Sequence, residues 1–182
     1  MKRLLLYAIV ALIALGTWSC VGNDIEDNYK DWRAANNKWL AEQEARTENG
    51  KPYYTKVAAV WNPNAQVLIH WFNDTLKTYK NLKPLYTSTV DVKYRGQLYD
   101  DTPFDSSYLA TSPADSIFRT ELNADIIEGW PIAIMNMHVG DSCRVIIPYQ
   151  LGYGTLEMDL IKPYSALQFD IKLADINKYQ TH

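Results

Sequence analysis

The chain has 182 residues, with 18 basic and 21 acidic side chains and a hydrophobic fraction of 47%. This length fits one folded domain behind an exported leader, and the apolar fraction is large enough for a substantial core. The charge is mixed, with no basic stripe, which argues against a nucleic-acid partner, and the 13 Tyr and 6 Trp argue against disorder.

Residues 1–19 have the pattern of a signal peptide. A basic start is followed by an apolar run over residues 4–15, which is too short to span a bilayer comfortably. Cys20 follows the small Ser19, as in the lipobox of bacterial lipoproteins, although Trp18 is bulkier than that pattern prefers. We therefore predict lipidation of Cys20 and anchoring to a bacterial membrane in the cell envelope, on the periplasmic or surface face of the outer membrane. The alternatives are an ordinary signal peptide and an uncleaved anchor.

Residues 20–50 are predicted to form a tether and an N-terminal helix. Residues 21–28 are small, polar and acidic, whereas residues 29–46 repeat apolar and aromatic side chains near the helical period. Asn49-Gly50 is the predicted end of the helix. The aromatic stripe, which includes Trp32 and Trp39, is expected to pack on the domain, and contact with a partner is the alternative.

From residue 51 onwards the hydrophobic period changes to two, which is typical of strands. Strands are predicted over residues 53–60, 67–72, 85–98, 117–122, 142–148 and 167–173, with a turn at Asn62-Pro63-Asn64. Gly129-Trp130-Pro131 begins a short apolar helix that continues over residues 132–137, since proline suits a first helical turn. We predict an α+β domain over residues 51–182, in which a twisted antiparallel sheet wraps around this helix, with the N-terminal helix as an extension.

Side chains for nucleophilic or metal chemistry are sparse. The three histidines have no metal-ligand spacing to a cysteine or to each other, so neither a metal nor a cofactor is expected. His138 and Cys143 could form a nucleophilic pair, but a surface histidine beside a strand cysteine is the interpretation we favour.

Seven short motifs follow one another between residues 92 and 171. They are Val92-Lys93-Tyr94-Arg95-Gly96, Phe104-Asp105-Ser106-Ser107, Ile126-Ile127-Glu128-Gly129-Trp130, Met137-His138-Val139-Gly140, Ile147-Pro148-Tyr149, Gly152-Tyr153-Gly154 and Leu167-Gln168-Phe169-Asp170-Ile171. In this order and spacing they resemble the FKBP family of peptidyl-prolyl isomerases. The resemblance implies a sheet wrapped around a short helix, in agreement with the periodicity, and an apolar pocket between the two.

The resemblance also implies roles for individual residues. Trp130 would form the pocket floor and Asp105 its polar rim, while the main-chain N–H of Ile127 and the hydroxyl of Tyr153 would bind peptide carbonyl oxygens. The implied catalytic residues are Tyr94, Phe104, Asp105, Trp130, Tyr153 and Phe169, and the implied substrate-binding residues are Phe118, Ile126, Ile127 and Ile161. The expected function is isomerisation of X-Pro bonds in proline-containing polypeptides outside the cytoplasm, by a monomer that assists protein folding.

Two departures from the family pattern keep alternatives open. Tyr108 follows the Phe104 motif where the family often has a basic partner for the aspartate, and residues 155–163 lack the usual glycine and double proline. A non-catalytic peptide-binding module and a structural surface lipoprotein with the same fold are therefore the alternatives. The segment over residues 62–85 is longer than a simple hairpin needs and suggests no function.

Overall fold

The structure, a computed structural model, describes residues 28–179. The predicted signal peptide, Cys20 and nearly all of the predicted tether lie outside the described residues. The chain divides after Lys30, and the unit Asp31–His182 contains the features that follow. Within residues 28–179, no helix has both the length and the apolar character needed to cross a membrane.

The predicted N-terminal helix forms as α1, over Lys30–Ala45. Its aromatic stripe packs on the chain's own domain, as expected, with Trp32 against the main core and Trp39 against a smaller cluster. Polar contacts also hold it there. The Trp32 indole N–H donates to the Ser165 hydroxyl at 3.0 Å, and the buried Asn36 side chain accepts a hydrogen bond from the Ala166 N–H at 2.9 Å.

One predicted helix end and one predicted turn were wrong. Asn49-Gly50 does not end α1 but joins β1 (Thr47–Glu48) to β2 (Lys51–Pro52), and both residues have the positive φ that such tight hairpins require. The predicted turn at Asn62-Pro63-Asn64 is the start of β4 (Asn62–Trp71), and residues 60 and 61 make the turn from β3 (Thr55–Ala59). Pro63 is tolerated at the start of β4 because the strand on the edge of β4 opposite β3 pairs with β4 only from Leu68 onwards.

One antiparallel sheet of seven strands contains β3 to β9. The later strands are β5 (Thr89–Leu98), β6 (Pro103–Ser106), β7 (Phe118–Glu121), β8 (Ser142–Ile147) and β9 (Leu167–Lys178). The order across the sheet is β3-β4-β8-β9-β5-β6, and β7 pairs with β5 beyond the end of β6. The short strand β6 was not predicted as a strand, although its residues were recognised as a motif.

The short helix α2 (Gly129–Ile134) lies against this sheet, and every one of its residues is buried. It ends earlier than predicted, at Ile134. Its first residue must be small, because a Cβ on Gly129 would lie 2.5 Å from Cγ2 of Ile147 on β8. The predicted alternation along β5 is confirmed, since Val90, Val92 and Tyr94 are all buried. The observed architecture is therefore the predicted α+β fold.

The long segment after β4 is tied to the turn before β8 through a buried carboxylate. Asp141 accepts hydrogen bonds from the Thr78 hydroxyl at 2.5 Å, from the Asn73 amide at 2.9 Å and from the His138 N–H at 2.7 Å. The Asn81 amide donates to the Val139 carbonyl oxygen at 2.8 Å. The extra length thus contains a complete sheet strand and a loop that satisfies Asp141.

Candidate active site

A cavity of about 230 Å³ lies between α2 and the sheet, and we call it the aromatic cavity. Strands, the helix and two loops contribute its walls, which are formed by Tyr94, Asp105, Phe118, Asp125, Ile126, Ile127, Trp130, Tyr153 and Phe169. All of the residues predicted to form the pocket, except Phe104 and Ile161, line it. Those two residues line a neighbouring cavity of about 180 Å³, which shares Asp105 and Tyr153 with the first and which we call the side cavity.

Trp130 lies at the centre of the aromatic cavity and is only 5% exposed. Three other rings stand nearly perpendicular to it, with centroids 4.9 Å away for Tyr94, 5.4 Å for Phe169 and 5.9 Å for Phe118. Edge-to-face pairs of this kind contribute about 0.5–1.5 kcal/mol each beyond the area they bury. The four rings therefore support one another and give the cavity rigid, apolar walls.

A glycine makes the close approach of two wall rings possible. Phe104 and Phe169 pack edge to face, with centroids 5.4 Å apart, directly over Gly96 of β5. A Cβ at Gly96 would lie 2.7 Å from Cζ of Phe104 and 2.9 Å from Cε1 of Phe169. We did not predict a role for Gly96, although a glycine inside a strand is a known sign of close approach.

The Asp105 carboxylate accepts hydrogen bonds from a tyrosine hydroxyl and from the main-chain N–H of the next residue. The Tyr94 hydroxyl donates to Oδ2 of Asp105 at 2.5 Å, and the Ser106 N–H donates to Oδ1 at 2.7 Å. Tyr108 does not replace the family's basic partner, because its ring lies under the Arg95 guanidinium, 4.4 Å from the ring centroid. Burial, together with the hydrogen bond to Asp105, raises the pKa of Tyr94, so this hydroxyl remains a donor at neutral pH.

Several hydrogen-bond donors of the wall residues have no acceptor among residues 28–179. They include the Tyr153 hydroxyl, the Ile127 main-chain N–H and the buried Trp130 indole N–H. Burial raises the pKa of Tyr153, and the nearby charge of Asp105 raises it further, so this hydroxyl is neutral. A buried donor without a partner costs about 1–3 kcal/mol. The cavity therefore offers neutral donors that carbonyl oxygens of a ligand can satisfy.

Asp125 is a wall residue that the sequence did not single out, since it lies just before the Ile126 motif and has no pattern of its own. Cys143, by contrast, lines neither cavity and is fully buried, with its Sγ 3.8 Å from Sδ of Met137. Burial raises the pKa of this thiol, which disfavours the thiolate and supports the structural interpretation. Within residues 28–179, no three His, Cys, Asp or Glu side chains are grouped so that they could hold a metal ion.

The model of the FKBP-type peptidyl-prolyl cis-trans isomerase family matches residues 80–174. The chain belongs to this family. The matched range contains every residue that lines the two cavities. The family prediction made from the seven motifs is confirmed.

The FKBP chain is similar to curated relatives over about half its length. It is 40% identical over 94 residues to the macrophage infectivity potentiator of Trypanosoma cruzi, which is 51% of this chain and 45% of that protein. It is 35% identical over 97 residues to the FKBP-type peptidyl-prolyl cis-trans isomerase FkpA of Escherichia coli, which is 53% of this chain and 34% of that protein. The alignments thus span less than half the length of these relatives.

Solved structures resemble more of the chain. A peptidyl-prolyl cis-trans isomerase of Pseudomonas syringae pv. tomato has a TM-score of 0.61 and 27% identity, covering 81% of this chain and 95% of that one. FkpA of Escherichia coli has a TM-score of 0.66 over 87% of this chain and 65% of that one, with 23% identity, which shows the fold alone.

Proposed function

We propose that the protein is a peptidyl-prolyl cis-trans isomerase that acts on proline-containing polypeptides, with the proline ring bound in the aromatic cavity. The observation that carries this proposal is the cavity itself: Trp130 and the three rings packed edge to face around it, with neutral donors at Ile127 and Tyr153. A proline ring is apolar and compact, and the carbonyl groups on either side of it need donors. The walls match both requirements.

The reaction needs no nucleophile, because no covalent bond is broken. The barrier of about 18–20 kcal/mol arises from the loss of amide resonance as the bond twists. A twisted amide is less charge-separated than a planar one, so apolar walls stabilise it relative to water. The Trp130 floor and the Tyr94, Phe118 and Phe169 rings hold the proline, and Ile126 completes the apolar wall. The Ile127 N–H and the Tyr153 hydroxyl hold carbonyl oxygens. Phe104 and Ile161 line the adjoining side cavity and contact the peptide beside the proline. Asp105 fixes the Tyr94 ring by its hydrogen bond.

A prolyl-peptide assay with matched tyrosine variants tests this proposal. The folded protein should accelerate cis-trans exchange, and Tyr153→Phe should lower kcat/KM by about two- to tenfold, the value of one hydrogen bond. Tyr179→Phe makes the same chemical change at a position that lines neither cavity, and it should match the wild type. Absence of any acceleration by folded protein would contradict the enzyme proposal. Peptide binding without acceleration would favour the non-catalytic binding module, which Tyr108 and the altered residues 155–163 motivate.

We further propose that the protein is exported and lipidated at Cys20, and that it works as a monomer in the cell envelope. Residues 1–19 would be the leader, residues 20–50 the tether with α1, and residues 51–182 the isomerase domain. The signal-peptide pattern before Cys20 supports this. Metabolic labelling with palmitate should mark the wild type, and Cys20→Ala should lose the label and leave the membrane fraction. Cys143→Ala is the control and should keep the label. An unlabelled, soluble wild type would point to an ordinary signal peptide.

A further inference from the structure

The side cavity has walls of a different character from the aromatic cavity. It shares Asp105 and Tyr153 with the aromatic cavity, and its other walls are Phe104, Ile161 and residues 158–160. Met158 and Leu160 are 46% and 54% exposed. They belong to the stretch that departs from the family pattern, so this cavity is shaped by residues particular to this chain.

The charged side chains that line the two cavities are all acidic. They are Asp105, Asp125 and Asp159, and among the residues that the structure describes no lysine, arginine or histidine lines either cavity. Within residues 28–179, none of these three carboxylates has a basic nitrogen close enough for an ion pair. The cavities therefore carry negative charge that the described part of the chain does not neutralise.

The basic side chains nearest in sequence to Asp159 and Asp105 contact aromatic rings and do not pair with these carboxylates. Lys162, three residues after Asp159, has its ammonium 4.6 Å from the Trp32 ring centroid. Arg95, which pairs with β6 beside Asp105, lies over Tyr108. Both cations have aromatic partners, so the carboxylates of the cavities remain available to a ligand.

We propose that the side cavity is a subsite for a lysine or arginine side chain of the bound polypeptide. The proposal rests on the proposed isomerase function and names the class of substrate that the site prefers. The apolar walls of Phe104, Met158, Leu160 and Ile161 suit the methylene stem of such a side chain, and Asp159 and Asp105 suit its charged end. An acidic side chain would meet like charge there, and a short polar one would leave the walls uncovered.

The position of the preferred residue follows from the shared walls. The two cavities adjoin at Asp105 and Tyr153, and one extended residue advances the chain by about 3.3 Å. The basic residue therefore lies one or two residues from the isomerised proline. An exposed ion pair of this kind should change kcat/KM by about three- to fivefold.

A series of peptides, whose cis-trans exchange is measured by NMR exchange spectroscopy, tests the subsite. This method needs no coupling protease, whose own cleavage would depend on the residue that is varied. Peptides carry Lys, Leu or Glu one or two residues before or after the proline. At one of these positions the wild type should favour Lys over Leu by about three- to fivefold and Leu over Glu. Asp159→Asn should bring the Lys/Leu ratio of kcat/KM close to one. Glu48→Gln, which removes a charge at a position lining neither cavity, should keep the wild-type ratio.

The outcomes separate this inference from the proposed function. Exchange that is accelerated equally for Lys, Leu and Glu at every position overturns the subsite and leaves the isomerase intact. A Lys preference that Glu48→Gln lowers as much as Asp159→Asn also overturns it, because the attraction would then come from overall charge. If no peptide is accelerated, the dissociation constants of the same series, from tryptophan fluorescence, are compared in its place. Tighter binding of Lys peptides supports the subsite, and equal or absent binding overturns it.

Discussion

Replacing Gly96 by alanine should separate two walls of the aromatic cavity. The new Cβ would lie 2.7 Å from Cζ of Phe104 and 2.9 Å from Cε1 of Phe169. Carbon atoms settle about 3.5–4.0 Å apart, so the rings would have to retreat by roughly 1 Å. Overpacking of this kind costs about 1–3 kcal/mol.

The expected sign of the change in the free energy of unfolding makes this substitution informative. Gly96 has no positive φ, and an alanine in an uncrowded strand stabilises a protein by about 0.5–1 kcal/mol relative to glycine. The crowding by Phe104 and Phe169 should outweigh that gain and leave a net loss of about 1–2 kcal/mol in the free energy of unfolding. A displacement of about 1 Å at a reacting centre can cost up to 100-fold in rate, so kcat/KM should fall by about 10- to 100-fold.

Urea unfolding and the prolyl-peptide assay measure the two losses. Combining Gly96→Ala with Phe104→Leu removes one of the two crowding rings, so the double variant should be more stable than the sum of the single losses predicts, by at least about 0.5 kcal/mol. Gly96→Ala with wild-type stability and full activity would refute the reasoning. Strictly additive losses of stability in the double variant would also refute it, because the new methyl group at residue 96 and the Phe104 ring would then not compete for space.

Three further predictions concern other buried polar groups. Trp130→Phe should stay within about 1 kcal/mol of wild-type stability, because it removes an unpartnered N–H, whereas Trp130→Ala should lose about 3–5 kcal/mol in urea unfolding. Burial alone would raise the pKa of Asp141, but hydrogen bonds from Thr78, the His138 N–H and Asn73 outweigh it and lower the pKa. The stability that Asp141 contributes should therefore be present above about pH 4 and be lost as the pH falls below it, and thermal unfolding of Asp141→Asn should lack that part of the decline. Asn36→Ala leaves the buried Ala166 N–H unpaired and should cost about 1–3 kcal/mol, whereas Asn37→Ala, at an exposed neighbouring position, should cost far less.

The sequence predicted the elements whose burial is periodic. β5 and β9 each bury alternate residues over a long run, so their period identifies both the strand and its inner face. The helix α2 was predicted from its proline and its apolar residues, all of which are buried. The wall aromatics came from the family motifs, which contain them at fixed positions. These features are local, and a local pattern is enough to find them.

Features that depend on contacts between distant segments were missed. The strand β6 has only four residues, and it forms because β5 offers it a partner edge. The turn at residues 60 and 61 is set by the pairing of β3 with β4, which overrides the turn tendency of Asn62-Pro63. Asp125 lines the cavity together with rings from distant strands, such as Tyr94 and Phe169, and its own stretch of sequence does not reveal them. No single stretch of sequence contains the information that places these residues.

The aromatic cavity is best understood as a consequence of strand register around β5. On one side Gly96 lies opposite Phe169 of β9, and on the other it lies opposite Asp105 of β6, next to Phe104. Further along, Val92 lies opposite Phe118 of β7. Slippage by one residue in any of these pairings would turn the aromatic ring of that strand to the opposite face of the sheet. The contacts that fix the register therefore also build the cavity, so a substitution that weakens these pairings should reduce activity and stability together.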